Sequence, residues 1–308
     1  MQNVHRLAAV DLGSNSFRLE IGHLEQNQFY RSDYLKETIR LGNGLDDQCN
    51  LTQQAMQRGL ECINRFGERL RELEVTHVAA VATQTLREAC NRDSFLRPAC
   101  AMLGFPIAVI SGDEEARLIY QGVTQALSRS NERRLVIDIG GRSTELIVGT
   151  GLHATHMGSY SIGSVAWSMR YFPNGEFSIQ AFRNAEVAAQ EVLLNIQKHY
   201  SYDHWEVAYG SAGTVNAVAD VLSAARWPQG FVCRDGLDWL LEQLLTVKTV
   251  DHLHLAGMRD DRKTIIGGGL SILRALFKLL NITRLEQANG GLRHGLLCDL
   301  AQKFSLES

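Results

Sequence analysis

Two stretches of this chain combine carboxylate, glycine and hydroxyl side chains in the same order. Residues 10–17 read VDLGSNSF and residues 137–144 read IDIGGRST. In each, an apolar run delivers an aspartate, Asp11 or Asp138, and a glycine follows two positions later, Gly13 or Gly140. Polar side chains come next: Ser14, Asn15 and Ser16 in the first stretch and, after Gly141 and Arg142, Ser143 and Thr144 in the second. A glycine-rich turn can aim several backbone N–H groups at one point, a nest suited to phosphate. A bare aspartate ahead of such a nest would repel the anion. The combination makes sense where a hard cation lies between them, as Mg²⁺ does with one or two carboxylates and a substrate phosphate. The competing reading is two ordinary hairpin turns, with aspartate and glycine there for turn geometry. The repetition of the whole pattern weighs against it.

Three further stretches carry groups of the same chemistry. ATQTLREA, residues 82–89, puts Arg87 on the first turn of an expected helix, where a guanidinium can fork onto a phosphate; an ordinary surface arginine is the alternative. In ISGDEEARLIYQGV, residues 110–123, Ser111 and Glu114 fit a capping box, which makes Glu114 structural. Glu115 is not explained by that cap and could hold an attacking water, although the helix dipole alone favours a glutamate there. GSAGT, residues 210–214, is a strand-to-helix turn whose Ser211 and Gly213 can meet an anion at a helix N-terminus. The triplet of glycines at 267–269 is expected to let a helix pack closely rather than to form a loop.

The elements that position these groups follow from hydrophobic spacing. Strands are expected at 7–10, 17–21 and 29–36, a helix at 55–73, a strand at 77–82, a helix at 85–103, a strand at 107–110 and a helix at 113–127. The polar, turn-rich SRSNERR at 128–134 reads as a link. Strands then recur at 135–138, 146–148 and 153–157. A helix at 179–200, a strand at 207–209, helices at 214–222, 236–247 and 262–280, a strand at 282–288 and a closing helix at 292–304 complete the reading. The order βββαβαβα thus largely repeats, and the two opening hairpins align without a gap. The expectation is an α/β protein of two duplicated lobes, residues 1–127 and 128–308, with a cleft between them and the closing helix packing back toward the first lobe.

Totals bound this reading. The chain has 308 residues, a size for two ordinary domains, with 45% hydrophobic and 21% charged residues, which excludes disorder. A net charge of -3 gives no global attraction to nucleic acid or membranes, and the scattered Trp and Tyr form no stacking platform for bases. None of the six cysteines forms a CxxC pair, so they are expected to be free thiols. MQNVHRLAAV lacks the apolar stretch of a signal peptide, and no run approaches the roughly 20 apolar residues of a membrane span. A cytoplasmic location is the corresponding expectation.

The motifs VDLGSNSFRL, TQTLREA, ISGDEEARLIYQGV, LVIDIGGRSTELIVG, YGSAGT and GGLRHGLL, in this order, resemble the exopolyphosphatase/guanosine pentaphosphate phosphohydrolase family over about residues 7–300. The resemblance implies the ribonuclease H-like fold of the actin, sugar-kinase and chaperone-ATPase superfamily. It implies hydrolytic release of terminal phosphate from inorganic polyphosphate, with guanosine pentaphosphate as the alternative substrate. Mg²⁺ is the implied cofactor, with Mn²⁺ as a substitute, and a homodimer is compatible with it. Glu115 then corresponds to the catalytic base. Asp138, Gly140 and Glu145 correspond to metal- and phosphate-handling residues, with Asp11 beside them. Asn15 and Arg87 correspond to phosphate contacts, and Ser143 and Thr144 to the second phosphate loop. Arg142 departs from the family's glycine. The chain also ends before the C-terminal helical region of long members, a region associated with long polymers. Superfamily alternatives are an ATP-dependent kinase and a non-catalytic polyphosphate or alarmone sensor.

Overall fold

The computed structural model describes residues 6–25, 28–128 and 130–307, with the side chains of 28 and 304–307 left aside. Residues 1–5, on which much of the signal-peptide reading rests, and Arg129 of the polar link lie outside the described residues. Contacts divide the chain into two compact units, residues 1–122 with 292–308, and residues 123–291.

In the first unit, β1 (Arg6–Leu12), β2 (Ser16–Glu25) and β3 (Gln28–Thr38) form an antiparallel meander. A 3₁₀ turn at Leu41–Gly44 leads to α1 (Gln53–Glu72), β4 (His77–Ala82), α2 (Gln84–Glu88), α3 (Arg92–Leu103), β5 (Ile107–Val109) and α4 (Gly112–Gln125). The sheet order is β3-β2-β1-β4-β5, with β4 and β5 joined in parallel. The helix α1 forms because Ala55, Gly59, Cys62, Ile63, Phe66 and Leu70 recur at three- and four-residue spacing, which gathers them on one buried stripe. Thr52 caps its start by accepting from the Ala55 N–H at 3.4 Å, and Arg69 and Arg71 stand in the last turn, where the helix dipole favours cations. That stripe packs with Phe17, Leu19 and Phe95 on one face of the sheet. Truncating a buried ring such as Phe95 to alanine costs about 3–5 kcal/mol in comparable cores.

In the second unit, β6 (Arg133–Ile139), β7 (Thr144–Thr150) and β8 (His153–Tyr160) repeat the meander. They are followed by α5 (Ser164–Tyr171), α6 (Ile179–Val192), α7 (Gln197–Tyr200), β9 (Val207–Ser211), α8 (Ala212–Ala224), β10 (Phe231–Cys233), α9 (Arg234–Val247), α10 (Asp260–Lys263), α11 (Ile266–Leu279) and β11 (Arg284–Gln287). The sheet order is β10-β11-β9-β6-β7-β8. Apart from the antiparallel edge strand β10, this is the order of the first sheet. The duplication read from two short motifs is therefore present in strand order and direction as well. Gly267, Gly268 and Gly269 all lie buried inside α11, and a Cβ on Gly268 would sit 2.5 Å from the Ser168 amide nitrogen, so the triplet serves close helix packing.

The closing helix α12 (Leu292–Glu307) belongs to the first unit. Leu296 and Leu297 pack with Leu7, Ala9, Val81 and Leu118. Gly295 lets α12 approach α4 so closely that a Cβ there would meet the Leu118 carbonyl oxygen at 2.0 Å. Arg117 of α4 ties the pair of helices by donating to Asp299 at 2.6 Å.

Four differences from the sequence reading have physical causes. The stretch 85–103 is two helices, because the Cys90 N–H donates to the Cys49 carbonyl at 2.9 Å instead of continuing the helical ladder, and the Asn91 side chain clamps the Leu51 backbone beside it. The stretch 179–200 breaks after Val192, and only Gln197–Tyr200 resumes it. The helix α5 was not expected, since its eight residues give little more than two turns of periodic signal. Strand β10 has three residues, too few to alternate visibly.

Candidate phosphate-binding and metal site

The two glycine turns have the same length. Leu12 pairs with Phe17 and Ile139 with Thr144, so residues 13–16 and 140–143 are the linking segments. Each turn is braced from behind through its carbonyl oxygens. In the first unit the Ser14 carbonyl accepts from the Gly42 N–H at 2.8 Å, and the Asn15 carbonyl accepts from Ile39 and Arg40 at 3.0 and 2.8 Å. In the second, the Gly140 carbonyl accepts from the Ser164 N–H at 2.9 Å, and the Gly141 carbonyl accepts from Val165 and Ala166 at 2.8 and 3.1 Å. The first turn of α5 thus finds the acceptors that helix starts otherwise lack. A trans peptide sets its C=O and the next N–H in opposite directions. The N–H groups of Gly141 and Arg142 therefore point away from α5, and that of Asn15 points away from the 39–42 segment. This is the polarity an anion nest requires.

Gly163 makes the brace in the second unit possible. A Cβ on it would lie 2.3–2.5 Å from the backbone of Gly141 and Arg142. The unexpected helix α5 and this glycine are the parts of the site that sequence reasoning missed; Gly163 immediately ahead of the helix and Ser164 at its first position were the only local signal.

Each turn is flanked by an acidic group, but the charge settings differ. Asp138 is directly opposite Glu145 across β6 and β7, and directly opposed residues share a face of the sheet. Both are buried, at 8% and 1% exposure. Neighbouring strands extend the row, with Ser211 in register with Asp138 and Ser159 with Glu145. The Ser159 hydroxyl donates to Glu145 Oε1 at 2.8 Å. Like charges directly opposed repel, and a divalent cation held between the two carboxylates would offset that repulsion. In the first unit the position matching Glu145 is Arg18, which donates to Asp11 Oδ2 at 3.4 Å. Arg293 of α12 reaches the same oxygen at 3.9 Å and donates to Glu20 at 3.2 Å. Asp11 thus has two guanidinium groups beside it, and Asp138 shares its face of the sheet with a second carboxylate. The donor set that suits Mg²⁺ is Asp138 with Glu145, two hard oxygen ligands beside a turn suited to phosphate.

Arg87 and Glu115, read from separate stretches, meet. Arg87 Nη1 donates to Glu115 Oε2 at 2.7 Å and to the Ile110 carbonyl at 2.9 Å, and the same guanidinium donates to Gln84. Glu115 is 7% exposed. The Ser111 hydroxyl accepts from the Glu114 N–H at 3.1 Å, the serine half of the expected capping box, while the Glu114 carboxylate pairs with Arg117 instead of returning to the Ser111 N–H. Cap and candidate base are thus separate residues one position apart.

The other sequence candidates are placed as follows. Ser14, Ser16 and Ser143 are buried at the turns, with Gly13 and Gly140 beginning them. Asn15 is buried, and its Oδ1 has no protein partner, an acceptor left for an incoming donor such as water. The Thr144 hydroxyl already donates to the Ile162 carbonyl at 2.8 Å, and the Ser211 hydroxyl to the Gly290 carbonyl at 3.0 Å, so both tie loops together. Ala212, between Ser211 and Gly213, has φ of 64°, a left-handed conformation uncommon for a residue with a side chain and common at ligand loops. A Cβ on Gly213 would lie 2.3–2.5 Å from the Arg262 guanidinium, which places a buried arginine from α10 against this turn. Nothing in the spacing of the sequence ties Arg262 to residue 213.

Comparison with known proteins identifies the family and the fold. Residues 25–304 match the model of the Ppx/GppA phosphatase family. The guanosine-5'-triphosphate,3'-diphosphate pyrophosphatase of Vibrio vulnificus (strain YJ016) is 39% identical over 297 residues, which are 96% of this chain and 59% of that protein. The chain therefore spans about three-fifths of the length of that curated relative. An exopolyphosphatase structure from Cytophaga hutchinsonii ATCC 33406 superposes with a TM-score of 0.86 at 24% identity, covering 97% of this chain and 98% of that one. A Ppx/GppA family member from Aquifex aeolicus gives 0.80 at 22% identity, covering 98% and 99%. The mixed α/β, two-sheet fold is common to these structures, and the chain belongs to the Ppx/GppA phosphatase family.

Proposed function

We propose that this protein hydrolyses the terminal phosphoanhydride of inorganic polyphosphate and releases orthophosphate. The observation that carries the reading is the buried Asp138–Glu145 pair beside a glycine turn whose amides are turned outward, within a chain of this phosphatase family. Asp138 and Glu145 would hold Mg²⁺, which when bound offsets charge on phosphate oxygens. The amides of Gly141 and Arg142 and that of Asn15 bind and orient phosphate groups. Arg87 stabilises charge that develops on the transferred group, and donors fixed in advance do this without reorganisation cost. Glu115 accepts the proton of the attacking water or orients it. The Arg87 contact holds its carboxylate in place until then.

Guanosine pentaphosphate is the second reading, favoured by the Vibrio vulnificus relative, whose name states activity on that type of nucleotide. Both substrates present the same terminal anhydride. A cytoplasmic location goes with either reading; no helix among the described residues is long and apolar enough to cross a membrane.

The test is Glu115→Gln, which preserves size and most hydrogen bonding. The account expects an unchanged circular dichroism spectrum, retained binding of polyphosphate, and loss of most phosphate release, about 10²–10⁴-fold for a general base. Release at the wild-type rate would remove Glu115 from the mechanism.

A further inference from the structure

The six cysteines are unequal. Cys62 is fully buried, and burial together with the nearby Glu37 carboxylate pushes its thiol up, so it stays protonated and inert. Burial, with Asp299 beside it, does the same for Cys298. Cys100 and Cys233 are half-buried. Cys49 and Cys90 are the exposed ones, forty-one positions apart in sequence.

The fold brings these two together. The Cys90 N–H donates to the Cys49 carbonyl at 2.9 Å. A single N–H···O bond of this length, with standard backbone dimensions, leaves the two Cα atoms roughly 5–6 Å apart, inside the range of roughly 4.4–6.8 Å that a disulfide spans. The Asn91 side chain clamps the same two segments together. Asn91 accepts from the Leu51 N–H at 2.8 Å and donates to the Leu51 carbonyl at 3.0 Å. The loop that presents Cys49 is itself compact: Leu45 bridges to Leu51, and Asp46 accepts from the Gln48 and Asn50 amides at 2.9 and 2.7 Å. Both thiols therefore stand on ordered backbone, and both residues are exposed.

We propose that Cys49 and Cys90 form a reversible disulfide with a low-molecular-weight disulfide as oxidant, and that this bond slows phosphate release. One cysteine thiolate attacks a sulfur of the small disulfide, forming a mixed disulfide and expelling one small thiol. The second cysteine thiolate attacks the protein-side sulfur of that mixed disulfide, forming the Cys49–Cys90 bond and expelling a second small thiol. Two protein thiols are oxidised, one small disulfide is reduced, and the two cysteine protons end on the two released thiols.

The position of the bond explains its effect. Cys90 lies three residues after Arg87, just beyond α2. The loop of Cys49 is joined to the 3₁₀ turn Leu41–Gly44 through the Thr52 N–H, which donates to the Gly44 carbonyl at 2.8 Å, and that turn braces Ser14 through Gly42. A covalent staple here links the segment behind the first phosphate turn to the segment that carries Arg87. Arg87 has to exchange part of its contact with Glu115 for the substrate's phosphate, and the staple restrains that adjustment. This effect on rate rests on the proposed function; formation of the bond does not.

The experiment treats the full-length reduced protein with oxidised glutathione, followed by peptide mapping under non-reducing conditions and by phosphate release from polyphosphate. The expected result is a peptide pair joined through Cys49 and Cys90 and a rate lower by roughly fivefold or more, which dithiothreitol restores; displacements of catalytic groups well under 1 Å suffice for this. Cys49→Ser and Cys90→Ser each abolish the crosslink, take up glutathione at the remaining cysteine and lose the effect on rate. Absence of a 49–90 crosslink overturns the proposal. So does a crosslink with an unchanged rate, or an equal loss of rate in the double serine variant. A reduced protein that releases no phosphate from any chain condemns the functional reading instead, while the peptide map still decides whether the bond forms.

Discussion

Replacing Gly163 with alanine adds one methyl group at a position the sequence did not single out, and the structure assigns it a large effect. The new Cβ would lie 2.3 Å from the Arg142 amide nitrogen, 2.4 Å from the Gly141 carbonyl carbon and 2.5 Å from the Arg142 Cα. Comfortable contact begins near 3.4 Å, so the gap must open by about 1 Å, the order of shift that can cost 10²-fold in a positioned reaction. All three atoms are backbone, and none can swing aside as a side chain would. The turn at 140–143 must move, or α5 must withdraw and release the hydrogen bonds that Ser164, Val165 and Ala166 make to Gly140 and Gly141. Overpacking of this kind costs about 1–3 kcal/mol of stability. The assay is kcat/KM for phosphate release beside a urea unfolding curve, with Gly104→Ala as the control. Gly104 has φ of 84° and open space around its Cβ position, so that variant carries only backbone strain, about 1–2 kcal/mol. The account expects both variants to lose similar stability and only Gly163→Ala to lose roughly 10²-fold in kcat/KM. A folded Gly163→Ala protein with wild-type kcat/KM would refute the placement of phosphate at the 140–143 turn.

Asp138→Asn should raise the Mg²⁺ concentration needed for half-maximal rate while leaving the fold intact, measured by metal titration of phosphate release; Asp11→Asn, at a position balanced by Arg18 and Arg293, should move it far less. Arg142→Gly should weaken affinity for polyphosphate and flatten its salt dependence, because a guanidinium facing a polyanion is screened by salt; unchanged kinetics across a salt series would remove Arg142 from substrate contact. Glu37 is held below the usual glutamate range first by its hydrogen bonds from Arg65. A depressed carboxylate contributes stability above its unfolded value and loses it as pH falls through the folded value. Glu37→Gln should therefore cost about 1 kcal/mol or less at neutral pH, and urea midpoints of the two proteins should converge as pH falls below the ordinary glutamate range.

Much of the fold was legible because strand periodicity is local. The hairpins around Asp11 and Asp138 each showed an apolar run ahead of a glycine turn and a strand pattern after it, and their gap-free alignment exposed the duplication that the sheet orders display. The capping role of Ser111 was legible for the same reason, since a cap is written within four residues. What was not legible depends on contacts distant in sequence. The helix break before Arg92 follows from Cys90 and Asn91 meeting the 49–51 segment, and the support of the second turn from α5 meeting Gly140 and Gly141. The Arg87–Glu115 contact joins two stretches that were each ambiguous alone. Arg262 reaches Gly213 from nearly fifty residues away, and the charge balance of Asp11 depends on Arg293 from the last helix. Residue type suggested the chemistry at each position, while tertiary packing determined which groups share it.

The central claim is acceptor-independent hydrolysis of a terminal phosphoanhydride, and orthophosphate release from short polyphosphate, long polyphosphate and guanosine pentaphosphate, each with Mg²⁺ under identical conditions, tests it most directly. The account predicts orthophosphate from polyphosphate without any added acceptor and its loss in Glu115→Gln. Binding of all three compounds with no orthophosphate from any of them, or phosphate transfer that requires an acceptor, would contradict it.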